Sequence, residues 1–162
     1  MSRMKRTSAT PPEADNVIPL PISKKERRRA EDKYTPAVIA LGYTVLPSLL
    51  FKAQAKLRLT PMQLNVLLHI IEPWWDADRL PWIAKDTIAQ RMRKSPRSIQ
   101  RVITQIENAG HIKRIERFYG RKQQTANGYA LDGLVKKLVA LEPEFKKAKE
   151  QNRLRKRKVE AA

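Results

Sequence analysis

The sequence predicts a mainly α-helical domain that carries a small β-hairpin wing. Three observations lead there. Apolar residues recur at helical spacing in the blocks 61–72, 86–92 and 96–109, two of these blocks open on Thr60-Pro61 and Ser95-Pro96, and two short extended stretches, 112–118 and 127–131, follow with a polar tip between them. Spacing near 3.6 marks one-sided helices, and short runs around a polar tip mark a hairpin.

The elements follow in chain order. Gly42 to Leu46 reads as a short strand or extended lead-in, and Pro47 opens a helical stretch with Leu49, Leu50, Ala53 and Leu57 on one side. Thr60 suits an N-cap and Pro61 the first helical position, where its missing N–H would have no partner in any case. Leu64, Leu67, Leu68 and Ile71 fall at i, i+3, i+4 and i+7, with Val66 and Ile70 widening the face, so this helix is expected at the centre of the core. Pro73 ends it. Trp74 to Arg79 reads as a loop, and Leu80 to Ile83 as a short strand with Pro81 marking an edge. Ile88, Ala89 and Met92 share one face of the next helix, and residues 93–95 break it. Ser95 then caps a further helix whose buried stripe is Ile99, Val102, Ile103 and Ile106, ending at Gly110, where a left-handed residue is wanted. After the hairpin, Asp132 can cap a helix with Leu134, Val135, Leu138, Val139 and Leu141 along one stripe. That stripe has two destinations: back onto the domain, or against a second copy in a homodimer.

Composition narrows the function. The 162 residues hold 34 Lys+Arg against 16 Asp+Glu, a formal net charge of +18, with 41% hydrophobic residues, enough for one core. A charge so far from zero favours polyanionic partners, nucleic acid first. Residues 34–80 are nearly neutral, whereas residues 81–130 hold 11 basic side chains against 3 acidic. The division expected is a disordered basic arm over 1–33, a domain over 34–141 and a basic tail over 142–162. Cys is absent, which removes disulfides and thiolate chemistry, and His69 and His111 are too few for a His-built metal site. Asp76 and Asp78 lack a third ligand nearby. No nucleophile-base pair or glycine-rich phosphate loop occurs, so no catalytic residue, metal or cofactor is expected, nor an enzyme. No apolar run nears the roughly 18 residues of a membrane span and no secretory stretch opens the chain, so a cytoplasmic protein associated with nucleoid or plasmid is expected. Trp74, Trp75 and Trp82 are read as packing residues before base-stacking ones, and His111 as a partner for the helix terminus or a phosphate.

Two short helices, a tight turn and Ala89 at their close approach form a helix-turn-helix pattern. With the apolar stripe of the second helix turned inward, Arg97, Ser98, Gln100, Arg101, Thr104, Gln105 and Asn108 face out. Arg can bond two guanine acceptors in the major groove and Gln can pair with adenine. Helix, helix-turn-helix and basic-tipped hairpin together match a winged helix-turn-helix. Leu59 to Leu134 resembles the family found in bacterial plasmid and phage replication initiators and regulators. The likeness lies in LTPMQLNVLLHI, DTIAQRMRKSPRSIQRVITQIENAGHIKRI and NGYALDGL. It implies that Ser95 to Gln105 dock in the major groove, with Arg121 and Lys122 on a flanking backbone or in the minor groove. One departure stands out: the turn usually holds Gly followed by an apolar residue, and here it holds Arg93-Lys94. Either the turn is built differently, or the roughly 1 kcal/mol of a left-handed non-glycine residue is accepted.

The function expected is therefore sequence-specific binding of double-stranded DNA by a regulator of transcription. Lys94, Ser95, Arg121, Lys122 and the basic arms would hold phosphates, Arg97, Ser98, Gln100, Arg101 and Gln105 would read bases, and Thr104 belongs to the same DNA-binding face. Two alternatives stand beside it: a plasmid or phage replication initiator binding origin repeats, and a non-specific structural nucleic-acid-binding protein. Replication or transcription machinery would be the further partner, and no membrane.

Overall fold

The computed structural model describes residues 30–119 and 123–160. Arg121 and Lys122, and the basic arm up to residue 29, lie outside the described residues. Contacts separate the chain after Gly42 into two units. In the first, two short helices, α1 (Ala30–Tyr34) and α2 (Pro36–Ala40), take in the last residues of the expected arm.

The second unit holds α3 (Ser48–Lys52), α4 (Pro61–Ile71), α5 (Lys85–Met92) and α6 (Pro96–Asn108), then strands β1 (Lys113–Ile115), β2 (Phe118–Tyr119), β3 (Gln123–Gln124) and β4 (Gly128–Ala130), and the long helix α7 (Asp132–Glu160). It is mainly helical with a small antiparallel wing. No strand forms at 42–46, and the helix expected from Pro47 ends at Lys52, after which turns carry Ala53 and Leu57 into the core. Arg58 closes those turns with φ 54°, and the Leu59 N–H reaches back to the Gln54 carbonyl at 3.1 Å.

α4 starts as its sequence predicts. The Gln63 N–H donates to Thr60 Oγ1 at 3.2 Å and the Thr60 N–H donates to Gln63 Oε1 at 2.9 Å, so side chains satisfy two donors that the first turn leaves without helical partners. Leu67 and Ile70 from α4, Ile88 from α5 and Ile99, Ile103 and Ile106 from α6 are buried together, which makes these three helices the centre of the core. The Arg91 guanidinium ties α5 to Glu72 at the end of α4, 3.2 Å away.

The wing is one hairpin with an interruption. β1 pairs with β4 (Lys113 opposite Ala130) and β2 with β3 (Phe118 opposite Gln124). Between the ladders the Thr125 N–H donates to the Arg117 carbonyl at 2.9 Å, so the two arms stay joined. The strand expected at 80–83 contributes a single bridge, Trp82 to Gly128, and the Pro81 carbonyl accepts from the Tyr129 N–H at 2.9 Å. Pro81 lacks an N–H, so this segment can support β4 only as an edge.

α7 packs its early turns on the domain: Leu134 is buried, and Leu138, Leu141 and Phe145 lie against the core. These residues take the first of the two expected destinations, whereas Val135 and Val139 stay exposed. The helix continues through Pro143 and past residue 141, the domain boundary expected from the sequence. Proline removes the bond to the Val139 carbonyl, but both residues face solvent, and water can serve that carbonyl.

Gly110, with φ 69°, ends α6 as expected. The His111 N–H donates to the Ile106 carbonyl at 3.2 Å and the Gly110 N–H to the Glu107 carbonyl at 2.8 Å, the paired bonds of a Schellman turn. α7 begins on top of that turn. The Leu134 N–H donates to the His111 carbonyl at 2.8 Å, and a Cβ on Gly133 would overlap the Gly110 carbonyl oxygen. Gly133→Ala should therefore lower the stability of the chain by about 1 to 3 kcal/mol, because backbone on both sides must shift. Urea unfolding followed by circular dichroism checks it; an unchanged midpoint would show that α7 can lift off without loss.

Candidate nucleic-acid interface

The candidate surface is built on α6 and the turn before it. Arg93 adopts φ 50°, ψ 48°, the left-handed region, with the Lys94 N–H bonded to the Ala89 carbonyl at 2.9 Å and the Arg93 N–H to the Gln90 carbonyl at 3.2 Å. The turn thus has the geometry that glycine usually provides, and the backbone strain of an arginine there is accepted. Arg93→Gly should raise stability by up to about 1 kcal/mol. Thermal unfolding measures that gain, and a parallel titration should show weaker duplex binding, because one cation leaves the turn.

Ser95 caps α6 through the Ser98 N–H, 3.2 Å from its Oγ, and the two serine hydroxyls lie 2.8 Å apart. Pro96 follows at the first helical position. The capped start of the helix therefore leaves the Arg97 N–H without a helical partner and presents the positive end of the helix dipole beside Lys94, a combination that favours a phosphate.

The outer side of α6 sorts into three rows. Ile99, Val102, Ile103 and Ile106 are buried, so the opposite side carries Arg97, Arg101, Thr104 and Asn108 at spacings of four, three and four. Arg97, Arg101 and Asn108 are exposed. The Thr104 hydroxyl donates to the Gln100 carbonyl at 3.0 Å, which leaves its oxygen lone pairs for a partner. Ser98 and Gln105 form the flank nearer α4, where the Gln63 amide donates to Gln105 Oε1 at 3.3 Å. Gln100 stands on the other flank, over a groove of about 340 Å³ shared with Lys85 and Asp86 of α5 and Thr125, Asn127 and Arg114 of the wing. Lys94 is exposed with Arg97 and Arg101, and among the described residues none of the three makes a salt bridge. The sequence-predicted residues of the turn and α6 thus lie on the outer row and its two flanks, and Arg121 and Lys122 lie outside the described residues.

One carboxylate on α6 faces the wing, and it is neutralised. Glu107 accepts the Arg114 backbone N–H at 2.8 Å and its Nε at 2.6 Å. That backbone bond, with the guanidinium second among the stabilising causes, holds the Glu107 carboxyl below its ordinary pKa against the opposing effect of burial. α6 and β1 are clamped together, and the negative charge is withdrawn from the outer face.

Several groove residues escaped sequence reasoning. Lys85, Asn127 and Arg114 come together only through the packing of α5, α6 and the wing. Arg117 lies over the exposed Trp82 ring, 4.9 Å from its centroid, a pairing across 35 positions that helical or strand periodicity does not report. Of the other tryptophans, Trp74 packs against the core, and Trp75 is exposed with its ring edge-on to Tyr43, centroids 5.9 Å apart. Asp76 Oδ1 accepts the Asp78 N–H at 3.0 Å, the bond of a local turn. Of the two roles expected for His111, its backbone N–H serves the α6 terminus, but its ring does not stand ready for a phosphate: the residue is 1% exposed, and its Nε2 donates to the Leu57 carbonyl, 3.1 Å away. Burial first, and Lys137 second, push its pKa below the ordinary histidine value. Among the described residues no group of three His, Asp or Glu converges as a metal site would require, and no helix is long and apolar enough to cross a membrane.

Comparison with known proteins finds no match among curated proteins. Among solved structures the chain is similar to the crystal structure of the N-terminal domain of DnaD protein from Geobacillus kaustophilus, at 22% identity and a TM-score of 0.49, over 75% of this chain and 96% of that one. A family model narrows the resemblance that the motifs carry to replication initiators and regulators. The model of the DnaD N-terminal domain matches residues 46–152, from just before α3 into the second half of α7, with α4 to α6 and the hairpin between. That span is about two thirds of the chain, and the chain belongs to the DnaD N-terminal domain family.

Proposed function

We propose that this protein takes part in the initiation of DNA replication by binding duplex DNA as a winged helix-turn-helix. Membership of the DnaD N-terminal domain family points to replication and favours the initiation alternative over the transcription regulator that the sequence had placed first. The observation that supports DNA binding is the outer row of α6. It is exposed, rich in cations and amides, without a salt bridge among its described cations, and flanked by a capped helix start and a wing groove.

In this reading Lys94 and the α6 N-terminus hold one phosphate strand and orient the helix. Arg97 and Arg101, in the middle of the row, meet base edges, with Thr104 and Gln100 beside them. Arg121 and Lys122, between β2 and β3 in the sequence, contact the flanking backbone in this reading. Replication machinery is the further partner class, recruited through surfaces away from α6. The second half of α7, with Arg153, Lys156 and Arg157, adds phosphate contacts.

The test is a salt series. With about six phosphates neutralised, log K should fall against log salt with a slope near −5, at about −0.9 per contact. Competition between double-stranded DNA, single-stranded DNA and RNA should favour the duplex, and footprinting should find tandem repeats in place of a promoter palindrome. Equal competition by all three nucleic acids would sink the helix-turn-helix reading in favour of the non-specific one.

A further inference from the structure

A pocket at the far end of α6 has no part in the proposed duplex contact. It measures about 480 Å³ and lies among the turns before α4, the end of α6 and the first turns of α7. Small-molecule sites run roughly 300 to 1,000 Å³. Lys56, Arg58 and Lys137 stand around it, and Leu57, Ala140 and Leu141 line it with apolar surface. Lys56 is paired with Glu144, and the Lys137 ammonium donates to the Ala109 carbonyl, so Arg58 is the cation of the three for which the described residues show no bonded partner.

The pocket is also lined by a buried polar group without a partner. His111 is 1% exposed, its Nε2 is engaged by the Leu57 carbonyl, and its Nδ1 has no hydrogen-bonding partner among the described residues. Buried polar atoms are ordinarily bonded, so an atom of this kind in the lining of a cavity points to a ligand. The surrounding charge gives that ligand its sign: Lys56 and Arg58 from the turns before α4 and Lys137 from α7 share the pocket lining with His111, against one carboxylate, Glu144, already on Lys56.

We propose that this pocket binds a small organic anion with an apolar body, its charge held by Arg58 and Lys137, its body against Leu57, Ala140 and Leu141, and Nδ1 of His111 bonded to it. A carbonyl can only accept, so Nε2 carries a hydrogen. Nδ1 then accepts while the ring is neutral and donates once it is protonated. Burial and Lys137 disfavour the protonated ring, and an anion alongside acts the other way, so binding takes up a proton and strengthens as pH falls. The pocket stands at the opposite end of α6 from Ser95, so it does not depend on the duplex reading.

Benzoate, with benzamide as its uncharged counterpart, is the probe, titrated calorimetrically into the full chain while the His111 ring is followed by nuclear magnetic resonance. One benzoate should bind per chain, about tenfold more tightly at about pH 6 than at about pH 8, with the His111 pKa rising on binding. Benzamide should bind at least about tenfold more weakly. Arg58→Gly removes the cation at a backbone position glycine favours, so that variant should fold and lose about tenfold in benzoate affinity. Saturating duplex should not displace benzoate. Absence of benzoate binding, equal binding of benzamide, no change with Arg58→Gly, a His111 pKa indifferent to benzoate, or displacement by duplex would each overturn the proposal.

Discussion

Replacing Arg97 and Arg101 together by alanine is expected to weaken binding to a preferred duplex by about 2 to 6 kcal/mol, from about 1 to 3 for each arginine that reads a base edge. The two residues lie one turn apart on the exposed row of α6, so their effects will couple and the pair need not equal the sum. Both side chains are exposed, and stability should stay within about 0.5 kcal/mol of the parent. The measurement is selection from a random duplex library with each single variant and the pair. Preference should flatten at the positions the arginines read. A uniform loss across all sequences, with a shallower salt slope, would instead make them phosphate contacts and move recognition to Gln100 and the wing groove.

The opposite face of the same helix should respond in the opposite way. Ile103 is 1% exposed and packs among the buried residues of α4, α5 and α6. Ile103→Ala removes three carbons from a core without room to close, so it should cost about 2 to 5 kcal/mol of stability. Loss at the upper end would leave much of the population unfolded, since small domains hold only about 5 to 15 kcal/mol in all. Below its lowered melting temperature the folded fraction should bind duplex almost as well as the parent, because no exposed group has changed. Calorimetric melting and a titration at low temperature separate the two effects. If Ile103→Ala spared stability and abolished binding, the inward and outward assignment of α6 would be reversed.

Much of this was legible in the linear sequence because the relevant signals are local. Thr60-Pro61 and Ser95-Pro96 place caps that need only the next three residues, and both serve as expected. The stripe Ile99, Val102, Ile103 and Ile106 identifies the inner face of α6 by spacing alone, and so leaves Arg97 and Arg101 on the outer one. Gly110 ends that helix for a reason contained in its missing Cβ. The short elements were harder to read. Pro47 to Leu57 has helical spacing but closes into turns after Lys52, and the strand expected at 80–83 becomes one bridge, because its ladder depends on what the wing offers.

Local patterning in the sequence thus determined the helix starts, the buried stripe, the left-handed stop at Gly110 and the excess of cations around the turn. Each depends on residues within about two helical turns of one another, where spacing translates directly into direction. Tertiary structure alone decided that Arg93 takes the left-handed turn, that Glu107 is clamped to Arg114, that Arg117 covers Trp82 and that His111 reaches Leu57 across 54 positions. It also carried α7 through Pro143, since tolerance of a proline depends on whether the carbonyl left without its bond meets water or core. Contacts between distant segments leave no period in the chain, and the partner of a buried polar atom is set by whichever backbone the fold brings to it.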